Sequence, residues 1–155
     1  MDKWFVTAKK ADFNKIAEEF GISPVLARII RNRDVEGSEN IRKFLQGGKA
    51  DLYSPMLLKD MDKAVDILSK AITQGKKIRV IGDYDVDGIC ATHILCTGIR
   101  EAGGNVDTAI PHRIKDGYGL NDNLIEEAAE AGIQLIVTCD NGIAAASQIA
   151  LAKSL

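Results

Sequence analysis

Cysteine is scarce: three residues among 155 cannot build a disulfide framework, and Cys90, Cys96 and Cys139 are odd in number, lie in apolar settings and show no C-x-x-C spacing. That spacing also excludes a zinc knuckle, so the three read as small core residues. Aromatic residues make up only 5% of the chain, which leaves Ile, Leu, Val and Ala to build a core from its 46% hydrophobic content. No apolar run approaches membrane-spanning length, and the opening Met1-Asp2-Lys3-Trp4 has no secretory apolar region. The expectation is a reducing, cytoplasmic protein without membrane contact. Net charge is small as well. A formal charge of -2 excludes a global attraction to nucleic acid or anionic membranes, so any phosphate-binding surface has to be local. The balance is uneven, at +3 over residues 1–49 and -5 over residues 50–155.

What the chain does have is concentrated in Lys77-Ile78-Arg79-Val80-Ile81-Gly82-Asp83-Tyr84-Asp85-Val86-Asp87-Gly88. A short β-branched run bounded by glycine is the pattern of a strand covered on both faces in a parallel sheet. Asp83, Asp85 and Asp87 follow at period two. If the backbone stays extended past Gly82 they point the same way, and three like charges that close repel unless a cation sits among them. Oxygen-only ligands favour magnesium, manganese or calcium over zinc or copper. A solvated acidic turn with Gly88 at positive φ is the plainer alternative. An EF-hand calcium loop needs a preceding helix and Glu at its twelfth position, which here is Ile94, so it is excluded. The aspartyl phosphatase signature fits Asp85-Val86-Asp87-Gly88, with Asp85 as nucleophile, and stays open.

In chain order, residues 1–50 read as a small helical region. An amphipathic helix over about 9–20 places Phe13, Ile16, Ala17 and Phe20 on one face and ends at Gly21. Ser23 and Pro24 form an N-cap and N1 pair for a second helix, and Ser38 is the expected cap of a third running through Leu45. Arg28, Arg31, Arg33, Arg42 and Lys43 could together face a phosphate backbone. The boundary is expected at the turn-rich segment beginning at Ala50, giving regions 1–50 and 51–155. A helix from Asp60 to about Gln74 then leads into alternating elements: strand 77–82, helix 88–102, strand 105–110, helix 121–131, strand 133–139 and a helix from about 143 onward. That alternation predicts an α/β fold, a doubly wound parallel sheet with helices on both faces. In the doubly wound order the third strand lies beside the first, so Asp140 is expected next to the Asp83–Asp87 loop, at the carboxyl ends where such sheets bind ligands. In the loop 111–120 Arg113 is the expected phosphate clamp. His93 reads as a core or supporting histidine, and nothing in the pattern places His112.

Asp83-Tyr84-Asp85-Val86-Asp87-Gly88, Pro111-His112-Arg113-Ile114-Lys115-Asp116-Gly117-Tyr118-Gly119-Leu120 and Thr138-Cys139-Asp140-Asn141-Gly142-Ile143, in this order and at these spacings, resemble the DHH phosphoesterase family over essentially the whole chain. Within it they are most similar to the exonucleases that digest single-stranded DNA from its 5′ end in repair and recombination. The resemblance implies two manganese or magnesium ions. It implies Asp85 and Asp87 as ligands, Asp83 as their acidic partner, Asp140 as the bridging ligand, and Arg113, Asn141 and Gly142 against substrate. The family also includes phosphoesterases acting on small nucleotides. The chain stops at Leu155, before any Asp-His-His block, which implies a truncated chain whose metal site lacks ligands and which is inactive or only a DNA-binding fragment.

Overall fold

The computed structural model describes residue 3 and residues 9–155. The chain divides into two compact units, Met1–Leu57 and Leu58–Leu155. In the first, α1 (Phe13–Phe20), α2 (Pro24–Asn32) and α3 (Ser38–Gln46) bury Ala17, Ala27, Ile30 and Ile41. Helix α1 starts four residues later than its apolar pattern predicts, because the Asp12 carboxylate accepts the Lys15 N–H and so sets the cap. Ser23 and Pro24 occupy the expected cap and N1 positions, whereas Gly37, not Ser38, caps α3, without a side-chain hydrogen bond. The basic residues of this unit do not form one free face. Arg31 pairs with Glu36 at 2.9 Å and Asp34 at 3.7 Å, Arg28 lies over the Phe13 ring, and Lys43 approaches Asp51, leaving Arg33 and Arg42 exposed.

The second unit holds α4 (Met61–Thr73), β1 (Lys77–Ile81), α5 (Val86–Glu101), β2 (Asn105–Ala109), α6 (Asp122–Glu130), β3 (Leu135–Thr138) and α7 (Ala146–Ser154). The three strands are parallel in the order β2-β1-β3, with Ile81 opposite Ala109 on one side and Thr138 on the other. Helices cover both faces, as the alternation predicts. Ile78 and Val80 of β1 pack with Ala71 of α4 and Ile99 of α5, while Ile81 packs with Leu124 and Ile125 of α6 and, further out, Leu151 of α7. The alternation of β1 therefore serves two cores, and each buried aliphatic side chain contributes about 1.5–3 kcal/mol. Where β1 carries a charge, the sheet answers it: Arg79 grips Asp107 of β2 through two hydrogen bonds, at 2.8 and 2.7 Å. Among the described residues no helix is long and apolar enough to cross a membrane.

One local expectation fails with a consequence for the site. Helix α5 begins at Val86 rather than near Gly88, because Asp85 caps it. The backbone is thus not extended from Asp83 to Asp87, and period two does not aim these side chains.

Candidate metal centre

The acidic loop is shaped by two close approaches. A β-carbon on Gly82 would lie 1.8 Å from the Thr92 hydroxyl oxygen, and one on Gly88 would lie 2.5 Å from the Asp83 carbonyl oxygen. Only glycine lets β1 and the first turns of α5 meet this tightly. Gly88 is helical, so its role is this contact and not a positive φ. Thr92, itself buried, donates its hydroxyl to the Gly88 carbonyl at 2.7 Å and backs the loop from α5.

Each carboxylate then has its own setting. Asp83 is completely buried, and neither of its oxygens has a hydrogen-bond partner. Asp85 spends Oδ1 on the Gly88 N–H at 2.9 Å. Asp87 is exposed in the first turn of α5, where the N–H groups of the helix end favour negative charge. From the neighbouring strand, Cys139 donates its N–H to the Ile81 carbonyl at 3.2 Å and Asp140 follows it in the left-handed region, at φ 59°. Such a conformation is uncommon for any residue but glycine and costs of order 1–3 kcal/mol. It is completed by Gly142 at φ 91°, where a β-carbon would strike Thr138.

Asp140 meets the loop carboxylates. Its carboxyl is held above the usual range, first by partial loss of hydration, then by the negative charge of Asp85 and a hydrogen bond with it, and by Asp87 and Asp83. Asp83, Asp85 and Asp87 follow β1 and Asp140 follows β3, so the four carboxylates share one end of the sheet without converging on a single point.

Does this arrangement fit a metal? The donors are all carboxylate oxygens, the chemistry of a hard divalent ion, and a buried carboxylate without partners is costly unless a cation joins it. The fit is chemical rather than complete. Among the described residues no three His, Cys, Asp or Glu side chains are gathered closely enough to form a full ligand set.

Beside the carboxylates stands a group that charge patterning does not reveal. Arg113 lies over the Tyr84 ring, 4.6 Å from its centroid, and Tyr84 meets Tyr118 edge-to-face with centroids 6.1 Å apart. Tyr118 donates its hydroxyl to the Asp140 carbonyl at 3.3 Å. Loss of hydration and then the surrounding carboxylates raise its pKa, so the hydroxyl keeps its proton. Tyr84 and Tyr118 were legible only as members of the two motifs. Asn141 adds an amide whose nitrogen and oxygen are both buried without partners. His93, in contrast, is exposed on α5 and lines a cleft of about 300 Å³ with Cys96, Arg100 and Thr108, so it is not a core histidine.

Residues 77–155, just over half of the chain, match the DHH family, N-terminal domain. The chain is 36% identical over 154 residues to the single-stranded-DNA-specific exonuclease RecJ of Bacillus subtilis, covering 99% of this chain and 20% of that protein. It is 43% identical over 98 residues to RecJ of Thermus thermophilus, covering 61% of this chain and 15% of that protein. A crystal structure of exonuclease RecJ bound to manganese superposes with a TM-score of 0.62 at 36% identity, over 67% of this chain and 27% of that one. The chain spans about a fifth of the length of the relatives it matches. A strand-loop-helix unit closed by Gly82 and Gly88, the acidic end of the adjacent strand, and this match over residues 77–155 together establish that the chain belongs to the DHH family.

Proposed function

We propose that this chain carries part of the active site of a metal-dependent exonuclease that hydrolyses single-stranded DNA from its 5′ end, in DNA repair and recombination. The observation that carries the reading is the pairing of β1 with β3, which sets Asp140 at the strand end next to the acidic loop, where the carboxylate of Asp83 is buried without a partner. The names of the relatives supply the substrate class.

Asp83, Asp85, Asp87 and Asp140 would hold two manganese or magnesium ions. Bound there, such ions supply Lewis-acid activation of the phosphodiester and of the attacking water. The remaining groups of the chain handle the substrate. Arg113, braced on Tyr84, presents a planar fork of donors suited to a phosphate. The Asn141 amide, buried without partners, and the backbone at Gly142, open only to glycine, follow β3 at the same end of the sheet and support a substrate-facing role for this loop. Tyr118 ties its loop to Asp140 through a neutral hydroxyl, adding no further negative charge where an anionic substrate must bind.

Grafting decides the matter. Residues 1–155 replace the matching segment of the Bacillus subtilis relative, and release of nucleotides from 5′-labelled single-stranded DNA is followed with manganese present. A chimera that digests single strands and loses at least about 100-fold on Asp85→Ala or Asp87→Ala is the expected result. A folded chimera that is equally active with both aspartates replaced overturns the assignment.

A further inference from the structure

We propose that His112 is the positioning residue for Arg113, acting as the cap of a single helical turn over residues 113–116. Its Nδ1 accepts the backbone N–H groups of Ile114 at 3.3 Å and Lys115 at 3.4 Å. In return, the His112 N–H donates to the Asp116 carboxylate at 2.6 Å, and the His112 carbonyl accepts the Asp116 N–H at 2.8 Å. This is a variant of the reciprocal capping-box pattern: an imidazole nitrogen stands where the oxygen of Ser, Thr, Asp or Asn usually sits, and the returning carboxylate comes from the fourth residue after the cap and not the third. An accepting nitrogen carries no hydrogen, which assigns the ring hydrogen to Nε2.

The cap turns a loop into a small rigid body. Pro111, fully buried, fixes its entry, and Gly117 at φ 77° releases the chain at its exit. Arg113 is the first residue inside the turn, and among the described residues no salt bridge holds it. Its place over Tyr84 is therefore set by stacking on the ring and by the backbone from which it projects. Without the cap, that backbone loses the acceptor for two N–H groups at once, and the stacked pose loses its base. The functional consequence rests on the reading of Arg113 as a phosphate contact; the structural claim does not.

The test uses the 155-residue chain with His112→Ala, His112→Asn, Arg113→Ala and the double variant His112→Ala/Arg113→Ala. Two quantities are read: the upfield NMR shift of the Arg113 side-chain protons caused by the Tyr84 ring, and the Kd for a short 5′-phosphorylated single-stranded oligonucleotide in metal-free buffer. His112→Ala is expected to abolish the shift and weaken binding roughly three- to ten-fold, the size of a lost cap. Asparagine can accept the same two amides, so His112→Asn should restore both readouts to within about two-fold. In the Arg113→Ala background, His112→Ala should cost nothing further, because the effect passes through the arginine. An unchanged Arg113 shift in His112→Ala, a folded His112→Asn chain that fails to rescue, or an equal loss of binding in the Arg113→Ala background overturns the proposal. If no chain binds the oligonucleotide while the shifts follow the expected pattern, the positioning role stands and the phosphate contact of Arg113 is what fails.

Discussion

The Cα of Gly88 faces the backbone of Asp83 so closely that a β-carbon added there would lie 2.5 Å from the Asp83 carbonyl oxygen and 2.6 Å from its amide nitrogen. The contact is backbone against backbone, so no side chain can swing away to relieve it. Gly88→Ala is therefore expected to destabilise the chain by about 1–3 kcal/mol, even though alanine is the better helix former by about 1 kcal/mol. Urea unfolding of the two chains measures the difference. A variant as stable as the parent would mean that the approach of α5 to β1 is looser than described.

Asp140 makes the metal-free chain sensitive to mild acid in an unusual direction. Its folded-state pKa is raised above 3.8, so in the window from 3.8 upward the folded state binds more protons than the unfolded one, and stability falls as pH rises through it. Asp140→Asn removes the charge while keeping a side chain that tolerates a positive φ. In the presence of a chelator the variant is expected to melt higher than the parent above that window and to match it below 3.8. Melting curves recorded across pH check the sign, and a variant that melts lower at neutral pH would show that the carboxylates do not repel.

The isolated 155-residue chain is expected to bind manganese weakly and to digest 5′-labelled single-stranded DNA more than about 100-fold more slowly than the Bacillus subtilis relative. The reason is the ligand count: among the described residues no three suitable side chains close on one point, and water cannot replace fixed anionic donors. Asp140→Ala serves as the control for contaminating nuclease. Robust turnover that vanishes in this control would show that the ligand set is complete as it stands.

The fold was readable because its signals are local and redundant. The β-branched run at Ile78–Ile81, the helical spacing that follows it and the handedness of parallel crossovers leave few topologies, and the order β2-β1-β3 is the one they favour. That order is also why Asp140 could be placed beside the acidic loop from sequence. The orientation of Asp83, Asp85 and Asp87 was not readable, because the Asp85 cap on α5 competes with extension and wins, sending one carboxylate inward and another to the helix surface. Nor were the stacking of Arg113 on Tyr84 or the burial of the Asn141 amide, which depend on three loops meeting at the same end of the sheet. Whether the basic residues of the first unit share one face was unreadable for a related reason: Arg31 finds Asp34 and Glu36 just past its own helix, and sequence spacing does not reveal which charges a turn brings back.

The acidic loop is carried by the central strand of the three. β1 is paired on both sides and buries Ile78, Val80 and Ile81, so its amides should be among the slowest to exchange in the second unit. Asp83 and Asp85 are thus mounted on a stiff base. A ligand that meets this loop finds the backbone already in place and has little ordering cost to overcome.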